Sequence, residues 1–211
     1  MIDSAALLPE TVAQKLRTDI IAQDHAPGSL ITESAVALRF GVARPTARIA
    51  IERLVADGFL RREPHQAARV PRLSSNDVND LVTNRAIIEG AAIASLTNHG
   101  TIPIAALQAH RSLRSGSAGF APDDIQFHLA LVAGQPSSRL TRMHELLMGE
   151  IELCIGQVQS AQLLTTNEVA DQHQGILDVI TAGDAATAEH LTREHILGTR
   201  DRLFTHLNST N

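Results

Sequence analysis

The chain has 211 residues, of which 44% are hydrophobic, 19% charged and only 2% aromatic, with Cys154 as its single cysteine. This length allows two small domains with aliphatic cores, and the composition excludes a disordered chain. The scarcity of aromatic rings argues against a base-stacking platform for single-stranded nucleic acid, and the single cysteine excludes an internal disulfide and a cysteine-based zinc site.

The net charge of −5 is unevenly distributed along the chain. Residues 1–72 hold ten Lys and Arg against eight Asp and Glu, whereas residues 73–211 hold eight against fifteen. A mildly basic first part and an acidic second part fit a division between DNA contact and regulation. We expect a cytoplasmic protein without a membrane partner, because the first nine residues do not resemble a signal peptide and no stretch approaches ~18 apolar residues.

Three helices are predicted before residue 60, each followed by a turn signal. They span residues 9–26, 33–40 and 43–56, with Thr11 and Thr32 as candidate caps for the first two. Two short runs, residues 59–62 and 68–70, can pair as the strands of a wing. This order predicts a winged helix-turn-helix over residues 1–72.

Beyond a linker at residues 73–76, the pattern of apolar residues is helical to the end. Helices are predicted near residues 76–99, 102–114, 122–133, 137–159, 166–182 and 185–207. Six helices with short connections predict an all-α antiparallel bundle over residues 77–211. The expected fold class is therefore mainly α, with a winged helix-turn-helix before a helical bundle.

Two arginines one turn apart, Arg44 and Arg48, begin the third predicted helix. Docking of this helix through its apolar stripe would hold both guanidinium groups near the exposed N-terminal end, where a recognition helix meets base edges. Arg fits the O6 and N7 atoms of guanine, a pair that discriminates by about 1–3 kcal/mol. Arg61, Arg62 and Arg69 on the wing could reach the flanking phosphates. The alternative is that these arginines are merely solvated.

Three segments between residues 27 and 60 read PGSLITE, VALRFGVAR and RIAIERLVADGFL. They resemble the GntR family pattern PG-x-L-x-E, LA-x-x-x-GVSR and R-E-A-L-x-x-L-x-x-x-GL. By this resemblance, Arg44 and Arg48 read the operator. We also expect Thr46, which lies between them, to contact DNA, although the family's Thr-Pro order is reversed here as Pro45-Thr46. Ala43 replaces the family's Ser, and Gln66-Ala67 replaces Arg-Gly at the wing tip. These departures predict a divergent operator or weaker binding.

The second half contains an aspartate and a histidine, both common metal ligands, at helical spacing. Asp124 and His128 lie four residues apart and so share one helix face, offering one oxygen and one nitrogen to a divalent transition metal. His173 and His195 lie on later helices, and inward-facing residues of a bundle can converge on one ion. Zinc, nickel and manganese are all compatible with such ligands, and open positions would remain for water or a carboxylate.

The same half carries DIQFH at 124–128, HQGILDVI at 173–180 and GDAATA at 183–188, followed by His195. These resemble the D-x-x-F-H, EH-x-x-I-x-x-A-I and GD-x-x-x-A…H-L motifs of the FCD effector domain in one GntR branch. The count of six helices resembles its shorter VanR-type subgroup. The resemblance implies a metal beneath a cavity for a small carboxylate, with ligands Asp124, His128, His173 and His195. The remaining histidines that we assign to surface or packing are His99, His110, His144, His190 and His206.

Arg85 and Glu89 match the R-x-x-(L/I)-E pattern on the first helix of that domain. Arg85 could clamp an effector carboxylate through two parallel hydrogen bonds. It could equally form a structural ion pair with Glu89, four residues on. Both roles remain open at this point.

The function expected from these features is that of a transcriptional regulator, with repression the commoner behaviour in the family. A homodimer would place two recognition helices on double-stranded operator DNA, and a small carboxylate at the metal would change operator affinity. Two alternatives are a winged-helix protein whose second domain only dimerises, and a helical-bundle metalloenzyme.

Overall fold

The computed structural model describes residues 8–116 and 119–209, without the side chains of residues 207–209. Residues 1–7, on which the predicted absence of a signal peptide mainly rests, lie outside the described residues, as do the outer limits of both predicted domains. The described parts contain nine helices and two short strands. None of these helices is long and apolar enough to cross a membrane.

The first three helices form the predicted helix-turn-helix. They are α1 (Pro9–Ile21), α2 (Glu33–Phe40) and α3 (Arg44–Ala56). The Thr32 hydroxyl accepts a hydrogen bond from the backbone N–H of Ala35 at 3.2 Å and so caps α2 as predicted. Gly41 ends α2 with a φ of 64°, a left-handed conformation that suits glycine and turns the chain into α3.

The first helix is shorter than predicted. It ends at Ile21 and not at residue 26, because Gln23 adopts a φ of 64° that an α-helix does not permit. Thr11 is not its cap either, since the helix begins at Pro9 with Leu8 in the capping position. Proline is suited to a first turn, where its missing N–H has no intrahelical acceptor.

The wing is paired differently from the prediction. Strand β1 (Leu30–Ile31) pairs antiparallel with β2 (Ala68–Arg69), and the segment predicted as a first wing strand contributes only an isolated bridge between Arg61 and Arg69. Phe59 and Leu60 are both fully buried, whereas consecutive residues of a half-buried strand face opposite sides. Tertiary packing therefore overrides the strand prediction at residues 59–62. Strand β1 was not predicted because two residues are too few to show an alternating pattern.

The second half is the predicted six-helix bundle, and each boundary falls within two residues of its predicted place. The helices are α4 (Ser75–His99), α5 (Ile104–Arg114), α6 (Ala121–Ala133), α7 (Ser138–Ser160), α8 (Thr166–Thr181) and α9 (Ala185–Ser209). Helices α4 and α9 run antiparallel: Gly90 of α4 lies against Glu189 and Arg193, and Asn79 accepts a 3.4 Å hydrogen bond from Arg200.

Helix α7 joins the bundle to the DNA-binding head. Its Leu153 belongs to the apolar core of the head, packed among residues of α1 and α3. Gly149 lies against the backbone carbonyl of Asp57, and Gly156 lies against that of Ile21, so closely that a Cβ at either glycine would collide with backbone. The two glycines thus allow α7 and the head to approach to backbone contact.

Two ion pairs reinforce this junction. Arg17 of α1 pairs with the buried carboxylate of Glu152 while its guanidinium lies 4.7 Å from the ring centre of Phe59. Arg61 donates to one oxygen of Glu150 at 3.1 and 2.5 Å. The head is therefore held to α7 by apolar, backbone and charged contacts together.

Candidate metal centre and DNA-contacting surface

Four buried side chains meet in the interior of the bundle. Helix α6 contributes Asp124 and His128, α8 contributes His173, and α9 contributes His195. One possible ligand atom from each lies within 4.8 Å of the others, so the structure brings together all four residues selected from the sequence. We call this group the Asp-His cluster.

The same type of nitrogen points inward from each imidazole of the cluster. Oδ1 of Asp124 lies 3.2 Å from Nε2 of His173 and 3.7 Å from Nε2 of both His128 and His195. The Nε2 atoms of His128 and His195 are 3.1 Å apart. Three ring nitrogens and one carboxylate oxygen therefore surround one small volume.

Hydrogen bonds outside the cluster orient two of these rings. Nδ1 of His128 lies 2.5 Å from a carboxylate oxygen of Glu89, and Nδ1 of His195 lies 2.7 Å from the side-chain oxygen of Gln172. Because both oxygens accept, each Nδ1 donates, and the Nε2 atom on the other side of each ring is the one that faces the cluster.

The protonation states of the cluster suit a divalent cation. Burial lowers the pKa of His173 to about 3, so this ring is neutral, and burial also lowers the pKa of His128. Burial alone would raise the pKa of Asp124, but the adjacent imidazoles outweigh it and hold that pKa well below its usual value. Among the described residues, Nδ1 of His173 has no hydrogen-bond partner, whereas Nε2 faces Oδ1 of Asp124 at 3.2 Å. Three imidazole nitrogens and a carboxylate form a donor set that fits zinc, nickel or manganese.

Glu89 links the cluster to α7, a link that the spacing of residues did not reveal. Its fully buried carboxylate accepts from Nε of Arg85 at 2.6 Å and from Nε2 of His144 at 2.8 Å, besides its bond with His128. Burial would raise the pKa of Glu89, but the charge of Arg85 and both histidines hold it well below its usual value. His144, assigned from the sequence to surface or packing, is a buried member of this network.

Arg85 forms the ion pair with Glu89 that was one of its two expected roles. The pair uses Nε of the guanidinium. Nη2 is buried and has no hydrogen-bond partner in the part of the chain that the structure describes. A buried donor without an acceptor costs free energy, so Nη2 favours a ligand that accepts a hydrogen bond from it. The effector role of Arg85 stays a prediction, and this free donor supports it.

The exposed end of α3 presents the two arginines expected to contact bases. Arg44 and Arg48 are exposed, Thr46 between them is partly exposed, and the opposite side of the helix is buried in the head. Nε of Arg48 lies 3.7 Å from Glu52, a weak surface pair that leaves the guanidinium accessible. Ala43 has no side-chain oxygen to cap α3, so backbone N–H groups of the first turn can bind a phosphate.

The wing arginines differ in accessibility. Arg69 is exposed, and its guanidinium lies 3.4 Å from the carbonyl of Gly28. Arg62 is only partly exposed, and its Nε is buried without a partner among the described residues. Arg61, also expected near phosphate, is paired with Glu150 of α7 instead.

Comparison with known proteins covers both halves of the chain. Residues 8–70 match the model of bacterial regulatory proteins of the gntR family, and residues 80–198 match that of the FCD domain. A Paenarthrobacter nicotinovorans protein named "Probable D-xylose utilization operon transcriptional repressor" is 28% identical over 203 residues, covering 92% of this chain and 89% of that protein. The "HTH-type transcriptional repressor GlaR" of Escherichia coli strain K12 is 25% identical over 198 residues, covering 86% and 89%.

A solved structure has the same overall architecture. The crystal structure of a GntR transcriptional regulator from Rhodococcus sp. RHA1 matches with a TM-score of 0.78 at 22% identity, covering 93% of this chain and 97% of that chain. At this identity the likeness concerns the fold alone.

Proposed function

The chain belongs to the GntR family of bacterial regulators, in the branch with an FCD domain, and on that premise we propose that it is a transcriptional repressor controlled by a small organic acid. The family consists of regulators and not of enzymes, which excludes the metalloenzyme alternative. The proposed domains of this chain are a DNA-binding head at residues 1–72 and an effector domain at residues 77–211. Six helices in the second domain support membership of the VanR-type subgroup. We also propose a cytoplasmic location, where the protein has access to operator DNA.

The DNA-binding part of the proposal is supported by α3. Arg44 and Arg48 would contact base edges in the major groove, while Thr46 and the uncapped helix end would bind phosphate. Arg69, and Arg62 after a side-chain shift, would contact the flanking backbone. A homodimer would present two such helices to a two-fold symmetric operator.

The convergence of the Asp-His cluster is the observation that carries the effector-site proposal. Its four residues would hold a divalent transition metal, which supplies a Lewis acid able to bind a carboxylate oxygen. Glu89 and Gln172 fix the ring orientation of two ligands from outside. The free Nη2 of Arg85 would donate to the same organic acid, since guanidinium groups bind carboxylates well.

A continuous chain of contacts leads from the cluster to the head. His128 binds Glu89, Glu89 binds His144 on α7, and α7 packs against the head through Leu153 and the two ion pairs. We infer that occupation of the cluster changes the position of α7 relative to the head. Effector binding would thereby shift the population between two arrangements of the heads and change operator affinity.

Metal analysis of the full-length protein, purified without a histidine tag, tests this function first. We expect one metal equivalent per chain, lost together with several degrees of melting temperature in His173→Ala. The matched control is His190→Ala, which removes an exposed histidine of α9 outside the cluster and should change neither. If wild-type protein loaded with zinc, nickel or manganese binds less than about a tenth of a metal equivalent, the proposed metal site is refuted. The alternative that the second domain only dimerises would then be favoured.

The effector class is tested on metal-loaded protein with a thermal-shift screen of small carboxylates. A binding acid should raise the melting temperature and weaken binding to operator DNA in a gel-shift titration. Arg85→Lys keeps a positive charge beside Glu89 but loses the planar fork, so it should weaken acid binding more than metal binding. Equal acid affinity in both proteins would remove Arg85 from the proposed site.

A further inference from the structure

Two of the three imidazoles in the Asp-His cluster have an outer hydrogen-bond acceptor, and the third has none. Glu89 accepts from Nδ1 of His128, and Gln172 accepts from Nδ1 of His195. Nδ1 of His173 is buried and has no hydrogen-bond partner among the residues that the structure describes. A histidine that binds a metal almost always donates its other ring N–H to a carboxylate, a carbonyl or a water. His173 therefore needs an outer partner that no described side chain supplies directly.

A second buried nitrogen without a partner lies on a neighbouring ring. His110 of α5 is only 7% exposed, and its Nδ1 is buried and unbonded within the described parts of the chain. The ring centre of His110 lies 6.4 Å from that of His173 and 6.3 Å from that of Phe127, which stacks on His173 at 3.9 Å. His110 thus lies beside the edges of the stacked pair. Ring nitrogens form hydrogen bonds near the plane of the ring, so an edge is where a partner of His173 must lie.

The other nitrogen of His110 is already bonded. The side-chain amide of Gln174 donates to Asp178 at 2.7 Å, which turns the amide oxygen towards His110. Nε2 of His110 donates to this oxygen at 3.0 Å, while Nε of Arg114, at 3.4 Å, is too distant to compete. Burial lowers the pKa of His110 and so favours the neutral ring. Nδ1 of His110 is therefore a buried acceptor.

We propose that His110 positions His173 as a metal ligand through one water molecule held between their two Nδ1 atoms. A ring nitrogen lies about 1.1 Å from its ring centre, so the two atoms are at least about 4 Å apart, too far for a direct hydrogen bond of roughly 2.7–3.2 Å. One water with two hydrogen bonds spans about 4–6 Å, and buried waters in proteins satisfy polar groups of this kind. The inference rests on the proposed function, because the role it assigns concerns the metal of the Asp-His cluster.

A shared water suits His173 both with and without a cation in the cluster. Neutral His173 carries one ring proton, and the carboxylate of Asp124, 3.2 Å from Nε2, holds that proton on Nε2. The water then donates to Nδ1 of both rings. When Nε2 binds a cation, the ring proton must lie on Nδ1, so His173 donates to the water and the water donates to His110. The ring stays neutral throughout, and only a partner that can both donate and accept permits this exchange.

The metal affinity of the full-length protein tests the inference with His110→Leu and His110→Asn. Both replacements have side chains of the same shape and lose the bond to Gln174, but Asn places an acceptor close to the position of Nδ1 and Leu has none. His110→Leu should weaken zinc binding about 10–100-fold in a chelator competition, whereas His110→Asn should stay within about threefold of wild type.

A purely structural role of His110 predicts the reverse order. Leu is the better helix former and the more apolar side chain, so it should suit a buried position of α5 better than Asn does. Zinc affinities weakened equally in both variants, or weakened more in His110→Asn, would overturn the inference. Unchanged affinity in His110→Leu would overturn it as well.

Proton NMR of the cobalt(II)-loaded protein observes the ring N–H of each ligand. Wild type should show three solvent-exchangeable signals displaced by the paramagnetic ion, one for each imidazole of the cluster. In His110→Leu the signal of His173 alone should broaden through faster exchange with water, and His110→Asn should restore it. The matched control is His99→Leu, an exposed histidine of α4 whose Nδ1 lies 2.7 Å from the carbonyl of Ser95, and it should change none of the signals. Three unchanged signals in His110→Leu would contradict the proposed link.

A high-resolution crystal structure separates this inference from the proposed function. An ordered water within hydrogen-bonding distance of both Nδ1 atoms is expected in wild type, and its absence there would overturn the inference. If wild-type protein shows this water but takes up no metal, the metal site is refuted while the link between the two rings stands. If His110→Leu binds zinc as tightly as wild type does, the inference alone is refuted.

Discussion

The two halves of the chain hold their functional side chains in opposite environments. In the head, Arg44 and Arg48 are exposed on a helix whose other side packs in an apolar core. In the bundle, carboxylates and imidazoles are buried and satisfied largely by one another. Groups that read DNA must be reachable, whereas a ligand cluster must be held in place away from water. Substitutions of the exposed arginines in the head should therefore change DNA binding without changing stability. Substitutions in the buried network of the bundle should change ligand binding and stability together.

The largest expected effect is at the centre of the buried network. Glu89→Ala should lower the free energy of unfolding by about 3–5 kcal/mol, because Arg85 is left as an unpaired buried charge and two histidines lose their acceptor. Urea denaturation followed by circular dichroism measures this loss. The matched control is Glu145→Ala, an exposed glutamate of α7, which should stay within about 0.5 kcal/mol of wild type. Equal stability of both variants would show that the network carries little of the stability of the bundle.

The corresponding change in the head should act on DNA and leave folding intact. Arg44→Ala and Arg48→Ala should each weaken specific operator binding by about 1–3 kcal/mol, as each removes a guanidinium that we propose contacts base edges. Fluorescence anisotropy at one fixed salt concentration measures the affinity, and denaturation should show unchanged stability. Arg53→Ala, at the far end of α3 and paired with Glu10, is the control. A similar affinity loss in Arg53→Ala would mean that charge alone, not position, governs binding.

The junction between the halves can be tested with two glycines of the bundle. Gly149→Ala should destabilise the protein by about 1–3 kcal/mol, because the new Cβ meets the carbonyl of Asp57 and forces α7 away from the head. Gly175→Ala places the same methyl group where no heavy atom lies within 4 Å, and should stabilise by up to about 1 kcal/mol. Thermal melts compare the two variants. If both substitutions destabilise the protein, the cause lies within the helices that carry the glycines and not in the contact between α7 and the head.

The smallest expected effect concerns pH at the same junction. Burial raises the pKa of Glu152 above its ordinary value of 4.5, although the guanidinium of Arg17 opposes this. The folded protein therefore binds this proton more tightly than the unfolded chain does. The contribution of Glu152 to stability should rise as pH falls through the folded-state pKa and level off below 4.5.

Comparison of wild type with Glu152→Gln isolates this contribution. Between pH 8 and pH 5, wild type should gain stability relative to the variant, which has no proton to bind at this position. Urea denaturation at each pH measures the difference. A gain in the opposite direction would mean that Arg17, and not burial, dominates the pKa of Glu152.

The sequence predicted the helices better than the wing. Breakers such as Gly100 and Gly183 are local signals, so helix limits in the bundle fell within two residues of the structure. The cap at Thr32 is a local signal of the same kind for α2 of the head. The strand pairing of the wing depends on which side chains the core buries, and the burial of both Phe59 and Leu60 could not be read from alternation. The early end of α1 at Ile21 likewise depends on a backbone conformation without a local signal.

The sequence by itself determined the order of elements and the two arginines on α3, because each depends on residue type and spacing within a segment. The four residues of the Asp-His cluster lie on three helices and were selected by their resemblance to the motifs of the FCD domain. Only the tertiary structure decided how Glu89 joins the cluster to His144 and how α7 divides its faces between bundle, head and solvent. These contacts join residues of different helices, and helix spacing sets which residues share a face but not which other helix that face meets.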